Sequence, residues 1–102
     1  MSKKIEIEIQ HFEGCPNGPA LIKNVREVVK EFRDQIDYKE LLVENYDLAK
    51  EIGFRGSPTL LINGEDFEGR PSPENPGMNC RLYPNGVPKS DEIKKRIASL
   101  LN

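Results

Sequence analysis

Two side chains in this sequence carry thiols: Cys15, in Phe12-Glu13-Gly14-Cys15-Pro16, and Cys80, in Gly77-Met78-Asn79-Cys80-Arg81-Leu82-Tyr83. A thiol reacts as its thiolate, so its surroundings decide whether it does chemistry. Cys15 lies where a β-patterned run hands over to a helical one, and the unpaired N–H groups of a helix start favour negative charge there. Pro16 and Pro19 both suit the first helical position. With Pro16 there Cys15 is the cap, and with Pro19 there it lies about a turn upstream. Such a thiol suits redox or nucleophilic chemistry; a small side chain filling a turn is the plain alternative. Cys80 reads either as a second redox thiol or as packing for its loop. Arg55 and Arg81 can favour a nearby thiolate, although solvated surface is the expectation for both. His11, the single histidine, is a base or third ligand only if it turns toward the cysteines. Neighbouring strand residues face opposite sides, so a solvent-facing, strand-end histidine is expected.

The scaffold for these residues is 102 residues long, read as one domain over 1–102 that can bury roughly 60–70% of its unfolded surface. Fifteen basic and seventeen acidic residues leave a net charge of −2, so no global field draws the chain onto nucleic acid or anionic lipid. No apolar run approaches the roughly 20 residues of a membrane span. Met1-Ser2-Lys3-Lys4-Ile5-Glu6 lacks the apolar stretch of a secretory signal, which makes the cytoplasm the expected location. Two cysteines are too few for a disulfide-rich scaffold or a four-thiolate zinc site. In a reducing compartment they read as free, catalytic or metal-binding.

Periodicity then places the elements. Ile5-Glu6-Ile7-Glu8-Ile9-Gln10 alternates strictly, as a strand with one buried face does. Leu21, Val25, Val28, Val29 and Phe32 make one helical stripe. Tyr38 to Val43 reads as a second strand, and a short helix runs from an Asn45 cap to a stop at Gly53. Thr59-Leu60-Leu61-Ile62 is a third strand. Asn63-Gly64, a type I′ hairpin signal, returns the chain into Asp66-Phe67-Glu68. Arg70 to Pro88 holds five of the eight prolines and follows neither period. Ser90 then caps a last helix buried through Ile93, Ile97, Leu100 and Leu101. The order βαβαββα implies an α/β fold with a mixed four-stranded sheet flanked by helices. A ferredoxin-like sandwich would need a strand where the Ser90 to Leu101 stripe is helical. The glutamates of the first strand would be costly beneath helices, so part of that face should stay wet.

The segment Ile52-Gly53-Phe54-Arg55-Gly56-Ser57-Pro58-Thr59-Leu60-Leu61-Ile62-Asn63-Gly64-Glu65 is similar to the thioredoxin stretch that carries a cis-proline and its following hairpin. With Phe12-Glu13-Gly14-Cys15-Pro16 after the first strand, the chain resembles thioredoxin- and glutaredoxin-like proteins over nearly its whole length. It would be a single-cysteine Cys-Pro-Asn-Gly variant of them. The resemblance implies a cis Ser57-Pro58 peptide, Pro58 packed on the Cys15 sulfur, and a Ser57 backbone free to pair with an extended substrate. Pro16, Ser57 and Pro58 are then the substrate-binding residues. Two positions depart from the family pattern: Gly18 stands where the second cysteine of Cys-X-X-Cys would be, and Ile9 where a buried acid would be. A dithiol on one helix is therefore impossible. Either glutathione resolves the mixed disulfide as co-substrate, or Cys80 does. In such a fold the 70–88 connection passes the same end of the sheet as the first βα turn. A bond from Cys80 to Cys15 needs Cα atoms within roughly 7 Å and would stabilise the oxidised form by about 4 kcal/mol.

The expectation is thus a monomeric thiol–disulfide exchange protein. Cys15 and Cys80 are its catalytic residues, a small-molecule or protein disulfide is its substrate, and no metal or resident cofactor is required. Two other classes stay open: a soft-ion binder taking Cu(I) or Hg(II) on the two thiolates, with His11 as a further ligand, and a non-catalytic domain holding a peptide beside Pro58 or the 70–88 loop.

Overall fold

The alternating isoleucines become β1 (Ile5–His11), with Ile5, Ile7 and Ile9 buried on one face and Glu6 exposed on the other. The computed structural model describes residues 4–101. After β1 come α1 (Asn17–Glu31), a single 3-10 turn (Arg33–Gln35), β2 (Ile36–Leu42), α2 (Tyr46–Ile52), β3 (Thr59–Ile62), β4 (Glu65–Asp66) and α3 (Ser90–Leu101). The sheet runs β2-β1-β3-β4, with β1 parallel to β2 and antiparallel to β3.

The main core lies between the isoleucine face and two helices. Leu21, Val25 and Val28 of α1 and Ile93 and Ile97 of α3 pack there with Ile5, Ile7, Ile9, Leu60 and Ile62. Each such side chain, fully buried, contributes roughly 1.5–3 kcal/mol. A smaller cluster of Val43, Ala49 and Phe54, flanked by Phe12 and Met78, anchors α2. The polar face of β1 stays partly wet, as expected. Glu8 is only half-buried, lies 3.7 Å from Lys39 Nζ, and accepts from Gln10 Nε2 at 2.7 Å.

Local signals explain most boundaries. Asn45 Oδ1 accepts from Leu48 N–H at 2.8 Å, and Gly53 ends α2 in the left-handed region at φ 64°. Asn63 (φ 52°) and Gly64 (φ 83°) both take the positive φ that a type I′ turn requires. Three boundaries differ from the sequence reading. β2 starts at Ile36, not Tyr38, because pairing with β1 begins at Ile5↔Ile36. β4 stops at Asp66, where the carboxylate accepts from Glu68 N–H and Arg70 N–H, both at 3.0 Å, and turns the chain out of the sheet. Ser90 is the first residue of α3 and not its cap; Glu92 Oε1 instead accepts from Lys89 N–H at 3.3 Å.

Candidate active site

The chain leaves β1 through Gly14 at φ 103° and reaches Cys15, and Pro16 already has helical dihedrals (φ −60°, ψ −31°) ahead of Asn17. The Cys15 carbonyl accepts from Gly18 N–H at 3.2 Å. Pro16 is the cap and Asn17 the first helical residue, so Cys15 stands one residue before the cap, nearer to the Pro16-first alternative than to the Pro19-first one. Pro16 and Pro19 have no N–H, so the donors facing this end of α1 are few.

Cys80 reaches it: Cys15 and Cys80 form a disulfide with Cα atoms 5.7 Å apart. Long-range bonds hold the second cysteine in place. Ser57 N–H donates to Asn79 O at 2.9 Å and Arg81 N–H to Ser57 O at 2.8 Å, a parallel bridge centred on Ser57 and Cys80. The resemblance implied a free Ser57 backbone; that expectation is corrected, since both of its polar groups are taken by the chain's own 79–81 segment. Gly56 makes the approach possible, because a Cβ there would lie 3.0 Å from Arg81 Cβ and 3.3 Å from Asn79 O. The Ser57–Pro58 peptide is cis. Ser57 Oγ accepts from Phe12 N–H at 3.0 Å, which ties the proline turn to the end of β1.

Arg81 is not the solvated arginine expected from sequence. Its side chain is 1% exposed, and Nη1 and Nη2 donate to the two Asp66 oxygens at 2.6 and 2.9 Å. Nη1 also reaches Thr59 Oγ1 at 3.2 Å, while Nε has no partner. The reason is geometric: the bridge that seats Cys80 aims the next side chain beneath β3 and β4, where Asp66 is the matching charge. Burial pushes the Asp66 carboxyl up, but the Arg81 guanidinium and the Arg70 and Glu68 N–H groups outweigh it and hold the carboxyl below its ordinary range. Tyr83 donates to Pro58 O at 2.5 Å, and its ring lies 5.1 Å from the Arg81 guanidinium carbon. Burial raises its phenol to about 12. Asp66, Thr59 and Tyr83 are the residues that sequence reasoning missed. Their only trace was an arginine beside a cysteine, since Asp66 stands between Glu65 and Glu68 as one acid among three in the hairpin's return.

Exposure across the bond is uneven. Cys15 is 4% exposed and Cys80 is exposed. Pro16 lies at the surface, whereas Ser57 and Pro58 are buried. One cleft, of ≈ 360 Å³, is lined by Phe12, Gly14, Cys15, Pro16 and Ile22. A second, of ≈ 470 Å³, is lined by Arg55, Gly56, Cys80, Arg81 and Leu82. Arg55 is half-buried, its Nε donating to Arg70 O at 2.8 Å. His11 is half-buried at the strand end, and its carbonyl accepts from Val43 N–H at 2.7 Å. Among the described residues no three His, Cys, Asp or Glu side chains cluster to hold a metal, so the His11, Cys15 and Cys80 ligand set is not assembled. Nor is any described helix long and apolar enough to cross a membrane.

Known proteins share the fold. The thioredoxin domain family matches residues 3–75. A protein named thioredoxin from Methanocaldococcus jannaschii is 36% identical over 73 residues, covering 70% of this chain and 86% of its own. Among solved structures, chloroplastic thioredoxin z superposes with a TM-score of 0.67 at 19% identity, over 97% of this chain and 80% of that one. Thioredoxin-2 of a malaria parasite gives 0.65 at 14% identity, over 97% and 85%. A thioredoxin-like protein of Clostridium perfringens gives 0.59 at 17% identity, over 98% and 73%. The structural likenesses carry the fold, and the family match with the archaeal relative carries kinship and a general thiol–disulfide redox role. The chain belongs to the thioredoxin domain family, and its second cysteine lies beyond the residues that the family accounts for.

Proposed function

We propose that this protein is a single-domain, monomeric cytoplasmic thiol–disulfide exchange protein that cycles between the Cys15–Cys80 disulfide and the dithiol. The observation that carries the reading is the disulfide itself, which joins the residue before the α1 cap to a segment bridged to Ser57, next to Pro58. In the dithiol, the Cys15 thiolate attacks a substrate disulfide R–S–S–R′, forms a Cys15–S–S–R bond and releases R′S⁻. The Cys80 thiolate then attacks the Cys15 sulfur, forms the internal disulfide and releases RS⁻. Two electrons pass from the protein to the substrate. Two molecules of a low-molecular-weight thiol such as glutathione return them, leaving as glutathione disulfide. Pro16, exposed at the rim of the Cys15 cleft, meets the substrate, while the buried Ser57 and Pro58 hold the 79–81 segment that carries Cys80.

The test is trapping. Cys80→Ser should accumulate a stable mixed disulfide on Cys15 with hydroxyethyl disulfide, whereas the wild type should pass through it to the internal bond. Absence of the adduct in Cys80→Ser removes the proposal. The reduced pair is also a two-thiolate donor set for a soft ion; stoichiometric Cu(I) uptake without any exchange activity would favour that reading instead.

A further inference from the structure

We propose that the buried Asp66–Arg81 ion pair is the positioning device of the redox couple: it seats Asn79-Cys80-Arg81 against the Ser57 edge as an internal ligand, presents Cys80 to Cys15, and closes that edge to other extended segments.

The argument starts from what the pair costs. Both side chains are 1% exposed, and a buried ion pair is often no more stabilising than apolar residues of the same volume. What it supplies is register. The 70–88 connection has no helix or strand of its own, so its backbone bonds alone would tolerate a slip by a residue. With Arg81 locked between Asp66 and Thr59 at 2.6–3.2 Å, Cys80 is the residue that meets Cys15. Tyr83 pins the same segment to Pro58 O, and Gly56 leaves it room. Holding two thiols in reacting geometry raises their effective concentration, and that concentration sets the dithiol–disulfide equilibrium. The Ser57 N–H and C=O form a short sheet-like edge, which pairs with one extended strand at a time. While Asn79 and Arg81 occupy it, no outside segment can.

Arg81 acts through Cys80, so the decisive readout is the equilibrium of the protein disulfide plus two glutathione with the protein dithiol plus glutathione disulfide. It is measured by alkylation and mass spectrometry in glutathione buffers. Arg81→Leu and Asp66→Asn are expected to shift it at least tenfold toward the dithiol, with Arg81→Lys recovering part of the shift. A pair with a merely structural role would weigh equally on both redox forms, so an equilibrium within twofold of wild type overturns the proposal even if melting temperatures fall. Should those variants not fold, Tyr83→Phe removes only one hydroxyl anchor of the same segment, and an unchanged equilibrium there overturns the proposal as well. In Cys80→Ser, adding Asp66→Asn should speed capture of a short peptide disulfide by Cys15. An unchanged rate overturns the claim that the edge is occupied. The inference builds on the proposed exchange but fails separately: a shifted equilibrium without turnover on outside disulfides sinks the function alone, and turnover without a shift sinks the inference alone.

Discussion

Arg81 and Asp66 meet where water is excluded, and the direction of their titration follows. The Asp66 carboxyl is held below the value it has in the unfolded chain. Its contribution to stability is therefore present above about pH 4 and lost as pH falls through the lowered native value. Urea unfolding of the oxidised protein between pH 7 and pH 3 should show a loss of stability that Asp66→Asn blunts. The remaining slope should include Glu40, which Arg26 holds down with paired bonds of 2.7 and 2.8 Å. An undiminished loss in Asp66→Asn would mean that the pair does not control acid stability. Residue exposure also orders the chemistry of reduction. Cys80 is exposed and Cys15 is shielded, so a small thiol should attack Cys80 and release the Cys15 thiolate just ahead of α1. Acid-quenched partial reduction with glutathione, followed by peptide mass spectrometry, should find the first adduct on Cys80. An adduct on Cys15 would contradict that order.

Among the elements, those whose signals lie within a dozen residues were legible: the isoleucine alternation of β1, the Asn45 cap and Gly53 stop of α2, the Asn63-Gly64 turn and the Ile93/Ile97 face of α3, although Leu100 and Leu101, expected in the same buried stripe, are exposed at its end. Each is specified by its own backbone chemistry. The 70–88 connection was not legible beyond its being irregular, because its order comes from partners far along the chain: Cys15, Ser57, Pro58 and Asp66. The family resemblance hinted at the meeting of Cys80 with Cys15, but nothing local disclosed that Arg81 would follow it inward. Gly56 gives an element-scale prediction. Its φ of 104° strains any substitution, and a methyl group would meet Arg81 Cα at 3.3 Å only while the segment is docked. Gly56→Ala should therefore lower the melting temperature less in an Asp66→Asn background, where the segment is freed, than in the wild type. Equal losses would place the whole cost in the turn.

At the scale of the molecule, the covalent link spans 65 positions, for which loop-closure entropy predicts a stabilisation of about 4 kcal/mol. Reduction should lower the melting temperature by well over ten degrees at the few degrees per kcal/mol usual for a domain of about 100 residues; a shift of a degree or two would show that the dithiol chain is already restricted. The bond also divides the fold in a way the sheet order does not reveal. It gathers α1, β2, α2, β3 and β4 into a closed ring and leaves β1 and α3 as tails on either side. One of the two inner strands, β1, is thus a tail clasped between two ring members, β2 and β3. Cut anywhere between Glu74 and Asn79, the oxidised molecule should migrate whole on a denaturing gel and come apart only when a reductant is added.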